Sequence, residues 1–177
     1  MENTSLKLSK AQRLLLVTDG SVTTLLEVLT GKPIGVTTLL QQVVEADAER
    51  ASALDVEEGD KLNYRVVVLK NDDDDQPLIY AESYTPIARL QEEFRDDLMK
   101  ADIPIGRIMN QRKIESRREI RRIETICNEE LNELFGVAQN VPLLSRTYDI
   151  ISHDTVLIRI SETFPSTRFA HTPMEEP

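Results

Sequence analysis

The feature of this chain that most constrains its fold is an order of elements that occurs twice. Residues 44–86 and residues 123–165 each contain a short helical stretch, a small turn and a predicted β-hairpin. Each hairpin carries an arginine in its first strand, then a glutamate, an aromatic residue and a proline in its second: Arg65, Glu82, Tyr84 and Pro86, and Arg146, Glu162, Phe164 and Pro165. The order predicts a structural repeat whose halves pack together and offer an arginine and a glutamate to one pocket. The alternative is that two ordinary hairpins look alike.

The length and composition predict a single domain over residues 1–177 that buries a core of ordinary size. Of the 177 residues, 40% are hydrophobic and 29% are charged, as in typical globular proteins. No run approaches the roughly 20 apolar residues of a membrane span, and the first residues carry no apolar signal sequence. The single cysteine, Cys127, excludes an intrachain disulfide, so the sequence favours a reducing, cytoplasmic location.

The net charge of −10 argues against nucleic acid or an anionic membrane as the main partner. The basic residues are nevertheless concentrated in one segment: Arg112, Lys113, Arg117, Arg118, Arg121 and Arg122. On a regular strand, Arg118 and Arg122 would share one face, and Arg117 and Arg121 the other. Two interpretations stay open. The segment is a solvated edge strand that its charge protects from aggregation, or some of its arginines raise the potential around a small anionic ligand.

The apolar periodicity predicts an α+β fold with a single antiparallel sheet of about six strands and helices on one face. The predicted helices span residues 11–17, 21–30, 48–54, 86–100, 104–110 and 129–134. The predicted strands span residues 33–46, 62–70, 77–84, 112–126, 143–151 and 156–164, with a charged helix as the competitor for 112–126. We expect a turn at Asp72–Asp75 and disorder in the tail, residues 171–177.

The chain lacks the motifs of several common catalytic sites. It has no glycine-rich phosphate loop, no metal-binding spacing of His and Cys, and no nucleophile elbow. The aspartate run does not have the spacing of an EF-hand loop. The sequence therefore predicts neither a metal nor a cofactor. It favours a site built from arginine, carboxylate and backbone amide groups, which suits a small carboxylate ligand.

Several segments resemble a known family. RLLLVTDGSVTTLLE, GVTTLLQQVV, NYRVVVL, QPLIYAESYTP, IPIGRIM and TVLIRISETFP follow one another between about residues 11 and 165. In order and spacing they resemble the chorismate–pyruvate lyase family, in particular its branch from archaea, cyanobacteria, plastids and mycobacteria. The resemblance implies elimination of pyruvate from chorismate to give 4-hydroxybenzoate. It also implies that no cofactor is needed, because aromatisation drives the step.

The resemblance implies four site residues. Arg65 would bind the ring carboxylate, and Glu162 would meet the ring hydroxyl. Val22 and Ile105 would contribute backbone amides. Val22 stands where the enterobacterial branch has methionine, a difference that alters the pocket volume but preserves the amide.

Each charged residue also has a purely structural interpretation. Arg65 would then form an ion pair with Glu82, and Glu162 would pair with Arg159 or Arg146.

A competing function follows from a second resemblance. The same fold resembles the effector-binding domain of a family of bacterial transcription regulators, in which a winged helix of at least about 50 residues precedes that domain. Only about ten residues precede the first predicted helix, so we expect no DNA-binding half. The alternatives are a stand-alone sensor of a small carboxylate and a ligand-free structural protein. The expected partner is a small aromatic or cyclohexadienyl carboxylate, and the expected state is a monomer or homodimer.

Overall fold

The computed structural model describes residues 7–71, 76–100 and 103–170. The predicted aspartate turn and the predicted disordered tail lie outside the described residues. Within these ranges, the helices are α1 (Lys10–Val17), α2 (Val22–Thr30), α3 (Ala48–Leu54), α4 (Glu92–Lys100), α5 (Ile105–Gln111) and α6 (Glu129–Leu134). The strands are β1 (Ile34–Glu45), β2 (Lys61–Asn71), β3 (Pro77–Pro86), β4 (Arg117–Ile126), β5 (Leu143–Ser152) and β6 (Thr155–Pro165).

Residues 112–126, for which the sequence left a strand and a charged helix open, contain a strand that is shorter than predicted. β4 begins at Arg117 rather than Arg112, because Arg112 still ends α5 as its C-terminal cap. The predicted helix at 86–90 is a single 3₁₀ turn over Ile87–Arg89, separate from α4.

All six strands form one antiparallel sheet in the order β1-β2-β3-β6-β5-β4. The predicted α+β class with a single antiparallel sheet is confirmed. The last strands of the two halves, β3 and β6, pair at the centre, and the first strands, β1 and β4, form the edges. The sheet therefore consists of two three-stranded halves in the same internal order, joined through β3 and β6.

The pairing register corrects one feature of the predicted repeat. Arg65 lies opposite Ser83, whereas Arg146 lies opposite Glu162. Ser83 is therefore the counterpart of Glu162, and the prediction that Glu82 occupies this role was wrong. The first copy has one residue more between its glutamate and its closing proline, and a shift of one residue turns a side chain to the other face of a sheet.

The arginines in β4 are distributed over the two faces of the sheet differently from the prediction, because the strand contains a β-bulge. Arg118 lies opposite Ile150 and Arg122 lies opposite Thr147, with the irregularity between Ile120 and Arg122. The extra residue breaks the strict alternation of the strand. Arg118 and Arg122 therefore face opposite sides of the sheet, although their spacing in sequence predicted a shared face.

Two hydrophobic clusters attach helices to the same face of the sheet. In the first half, α1 and α2 pack through Leu15 and Leu26 near Ile79 of β3. In the second half, α4 and α5 pack through Leu98 and Ile108 in a cluster with strand residues of β5 and β6. Separately, Leu54 of α3 packs with Leu62 and Tyr84 at one end of the first hairpin. None of the helices within the described ranges is long and apolar enough to cross a membrane.

Candidate functional site

A cavity of about 70 Å³ lies between the helices and the sheet, and both halves of the sheet contribute to it. Its apolar lining includes Val67, Leu69 and Ala81 from the first half and Ile150 and Ile160 from the second. Its polar lining includes Arg65, Ser83, Arg118, Tyr148 and Glu162. An apolar cavity with a few converging charged groups is the usual form of a small-molecule site.

All four residues of the predicted site, Val22, Arg65, Ile105 and Glu162, line this one cavity. Val22 and Ile105 are the first residues of α2 and α5. The N–H groups of first-turn residues have no partner within their own helix, which suits the predicted use of these two amides. The roles of the four residues stay predictions.

Arg65 is buried, with 1% of its surface exposed. Both terminal nitrogens of its guanidinium lie 3.2 Å from the carbonyl oxygen of Ile103, and Nη2 donates to Thr38 Oγ1 at 3.3 Å. Glu82 is not its partner, because Glu82 lies opposite Val66 and accepts a 2.6 Å hydrogen bond from the Tyr80 hydroxyl. Arg65 therefore links β2 to the segment that leads into α5.

Glu162 is 7% exposed and holds two hydrogen bonds. Its Oε2 accepts from Nε of Arg146 at 2.8 Å, and its Oε1 accepts from the Tyr148 hydroxyl at 3.0 Å. Of the two partners that the sequence allowed, Arg146 is the one observed, and Arg159 pairs with Asp149 at 2.7 Å. Each carboxylate oxygen can accept a further hydrogen bond, so the ion pair leaves Glu162 able to meet a ligand hydroxyl.

Tyr148 is a site residue that the sequence analysis missed. Burial raises the pKa of Tyr148, and the charge of Glu162 raises it further, so the phenol stays protonated and donates to the carboxylate. The Arg146 guanidinium carbon lies 4.8 Å from the centre of the Tyr148 ring, within the range of a cation–π contact. Tyr148 could have been predicted from the sequence, because it follows Arg146 by two positions on a strand and therefore lies on the same face of the sheet.

Arginines also connect the cavity to the turn between α1 and α2. Arg146 donates from Nη1 to the carbonyl oxygen of Thr18 at 2.8 Å. Arg118 donates from Nη1 to the carbonyl oxygen of Asp19 at 3.1 Å. Together with the Arg65 bonds to Ile103, these contacts hold the chain just before α2 and α5 against the sheet.

Solved structures with a similar fold include an effector domain and the C-terminal domain of a repressor. The effector domain of PhnF from Mycobacterium smegmatis has a TM-score of 0.73 at 17% identity, covering 86% of this chain and 93% of that one. The C-terminal domain of the histidine utilization repressor from Pseudomonas syringae pv. tomato has a TM-score of 0.61 at 16% identity, covering 76% of this chain and 93% of that one. At these identities the similarity shows a common fold.

Sequence comparison gives the family. A protein named putative lyase MJ0807, from Methanocaldococcus jannaschii, is 35% identical over 167 residues, which cover 92% of this chain and 82% of the relative. Residues 16–170 match the family model described as chorismate pyruvate-lyase Rv2949c-like. With its fold, its cavity and these matches taken together, the chain belongs to the Rv2949c-like chorismate pyruvate-lyase family.

Proposed function

We propose that the protein is a chorismate lyase that eliminates pyruvate from chorismate to give 4-hydroxybenzoate. The observation that supports this most is that Arg65 and the Arg146-bound carboxylate of Glu162 line the same cavity. A guanidinium at one position and a fixed hydrogen-bond acceptor at another match a ring that carries a carboxylate and a hydroxyl. Family membership supports lyase chemistry, and we propose the chorismate substrate, its two products and a cytoplasmic location.

The cavity is smaller than the substrate that we propose for it. A water occupies about 30 Å³ in the liquid, so the cavity of about 70 Å³ corresponds to roughly two waters. A ring with a carboxylate therefore needs the cavity to widen. Chorismate is larger than its aromatic product, so we expect the segments before α2 and α5 to move outward when it binds.

The reaction needs no external oxidant or reductant. The C3–O bond to the enolpyruvyl group breaks, and the C4–H electron pair forms the new ring double bond that completes the aromatic system. The oxygen leaves with the three-carbon unit. C4 releases one proton and the methylene carbon of that unit gains one, so the step balances and gives pyruvate. Positioning and the exclusion of water are the contributions that the chain makes to such a step.

In this proposal, each residue acts on a stated part of the substrate. Arg65 binds the ring carboxylate, and the amides of Val22 and Ile105 add hydrogen bonds at the first turns of their helices. Glu162 accepts a hydrogen bond from the 4-hydroxyl and so fixes the orientation of the ring. Arg146 and Tyr148 hold Glu162 as a charged acceptor in a largely apolar cavity, where an unpartnered carboxylate would be costly.

A direct assay tests the proposal. Purified protein is mixed with chorismate, and 4-hydroxybenzoate and pyruvate are followed together. We expect equal amounts of both products, with turnover lost in Arg65→Ala and strongly reduced in Glu162→Gln. Arg122→Ala is the matched control, because Arg122 is exposed, pairs with Glu124 and faces away from the cavity. Failure of the wild-type protein to release either product would disprove the lyase assignment.

A second candidate is a stand-alone sensor of a small carboxylate. The similarity to the effector domain of PhnF favours it, because the same fold serves there as an effector domain. The two candidates are separated by calorimetry with 4-hydroxybenzoate alongside the chorismate assay. Tight binding without product formation supports the sensor, and the expected monomer or homodimer state is checked in the same preparation by light scattering.

A further inference from the structure

Arg118 differs from the other arginines of β4 in its partners. Its three neighbours on the strand all pair with carboxylates: Arg117 with Glu119 and Asp154, Arg121 with Glu119 and Asp149, and Arg122 with Glu124. Arg118 bonds to the carbonyl oxygen of Asp19. Its Nε is buried and has no hydrogen-bond partner in the part of the chain that the structure describes.

Arg118 is also the arginine of this strand that lines the cavity. The bulge turns it to the side of Ile150, and a Cβ added to Gly106 would lie 3.6 Å from its Nη2. The guanidinium therefore lies against the first turn of α5, beside the cavity. A buried N–H on a cation costs free energy unless an acceptor reaches it, so these contacts point to an anionic ligand group at this position.

The order of the charged groups across the sheet matches a substrate with two carboxylates. Arg65 is on β2, Glu162 is on the central strand β6, and Arg118 is on the edge strand β4. β2 and β4 are four strand spacings apart, about 19 Å between backbones, and both arginines extend from these strands to one cavity. The carboxylate acceptor Glu162 thus lies between two cations.

We infer that Arg118 binds the second carboxylate of the substrate, at the end of the ring opposite to Arg65. This inference rests on the proposed function and deepens it. In chorismate, the hydroxyl and the enolpyruvyl ether are on adjacent carbons, away from the ring carboxylate. A ring held by Arg65 and Glu162 therefore directs the enolpyruvyl carboxylate past Glu162, toward Arg118. The aromatic product has one carboxylate and gives up this contact.

Two stable probes test the inference. 4-Hydroxybenzoate carries one carboxylate, and 3-(carboxymethoxy)benzoate carries a second one on an ether at the ring position of the enolpyruvyl group. Their affinities are measured by calorimetry for the wild-type protein, Arg118→Gln, Arg118→Lys and the control Arg122→Gln. We expect Arg118→Gln to weaken the dicarboxylate about 10- to 100-fold, the usual effect of losing a charge-assisted hydrogen bond. The monocarboxylate affinity should stay unchanged, and Arg118→Lys should retain part of the difference.

The chorismate assay adds an independent readout. We expect Arg118→Gln to raise KM for chorismate while the inhibition constant of 4-hydroxybenzoate stays at the wild-type value. An equal loss for both probes, no loss for either, or a wild-type protein that binds neither would overturn the inference. If the probes discriminate but chorismate is not turned over, the proposed function fails and the second carboxylate site stands. If chorismate is turned over and Arg118→Gln changes neither KM nor dicarboxylate affinity, the inference fails alone.

Discussion

The two halves of the sheet place different side chains at matching register positions around one cavity. Arg65 opposite Ser83 in the first half matches Arg146 opposite Glu162 in the second. By the same register, Val36, Val67 and Leu69 match Arg118, Tyr148 and Ile150. The second half thus carries a carboxylate and its partners within the sheet. In the first half, a serine stands at that position, and our proposal puts the carboxylate of the ligand near it. The strands pair in the same register in both halves. The side chains differ, so one half supplies a carboxylate to the cavity and the other half is proposed to bind the carboxylate of the ligand.

The largest expected effect concerns the built-in ion pair. We expect Arg146→Met to lower the free energy of unfolding by about 3–5 kcal/mol, because it leaves the buried Glu162 carboxylate without its cation. Urea denaturation measures the change. The double variant Arg146→Met/Glu162→Leu should recover most of the loss, since it removes the uncompensated charge as well. A double variant that is less stable than Arg146→Met would contradict this account.

The second prediction makes the two halves alike. Ser83→Glu places a carboxylate opposite Arg65, at the position that corresponds to Glu162. We expect affinity for 4-hydroxybenzoate to fall about 10- to 100-fold, because the new carboxylate competes with the ligand for Arg65. Ser83→Gln, which has the same size without the charge, is the control for lost space. Equal losses of affinity in the two variants would show that lost space, and not the new charge, weakens binding, which would contradict the prediction.

The third prediction compares two tyrosine–glutamate hydrogen bonds on opposite faces of the sheet. Tyr148 donates to Glu162 at 3.0 Å, and Tyr80 donates to Glu82 at 2.6 Å. Removing either hydroxyl with Tyr→Phe should cost about 1.5 kcal/mol of stability, the loss of a hydrogen bond to a charged group. Only Tyr148→Phe should also reduce chorismate turnover. A similar reduction of turnover with Tyr80→Phe would contradict the proposal that the reaction takes place in this cavity.

The smallest effect is a pH dependence in the first half. Burial, followed by the negative charge of Glu82, raises the pKa of Tyr64 to about 12, against about 10 for an unfolded tyrosine. The protonated phenol is thus favoured in the folded state. Its contribution to stability is complete below about pH 10 and is lost as the pH rises toward 12. Phenolate absorbance of wild type and Tyr64→Phe measures this, and a difference spectrum with a midpoint near 10 would contradict it.

The sequence predicted the elements of this fold well because they depend on local patterns. The bounds of α3 and α6 were predicted as observed, and both hairpins and the α+β class were confirmed. The register was harder, because a difference of one residue depends on pairing with the neighbouring strand. That is why Glu82 was matched to Glu162 and why Arg118 and Arg122 were placed on one face.

The candidate site was predicted in part. The family resemblance selected Arg65, Glu162, Val22 and Ile105, and all four line one cavity, while their roles stay predictions. The sequence could not identify the ion-pair partner of Glu162, because the choice between Arg146 and Arg159 depends on which face of the sheet each side chain occupies. Asp149, with no exposed surface, takes Arg159 on the other face.

The bulge in β4 has a consequence for how this family can diversify. Because the bulge absorbs one residue, Arg118 faces the cavity and Arg122 faces the other side of the sheet. Loss of the one residue between Arg118 and Ile120, with Ile120 kept opposite Tyr148, would turn Arg118 to the other face of the sheet. Relatives that differ by such a small gap in this strand are where altered ligand charge preference should be sought.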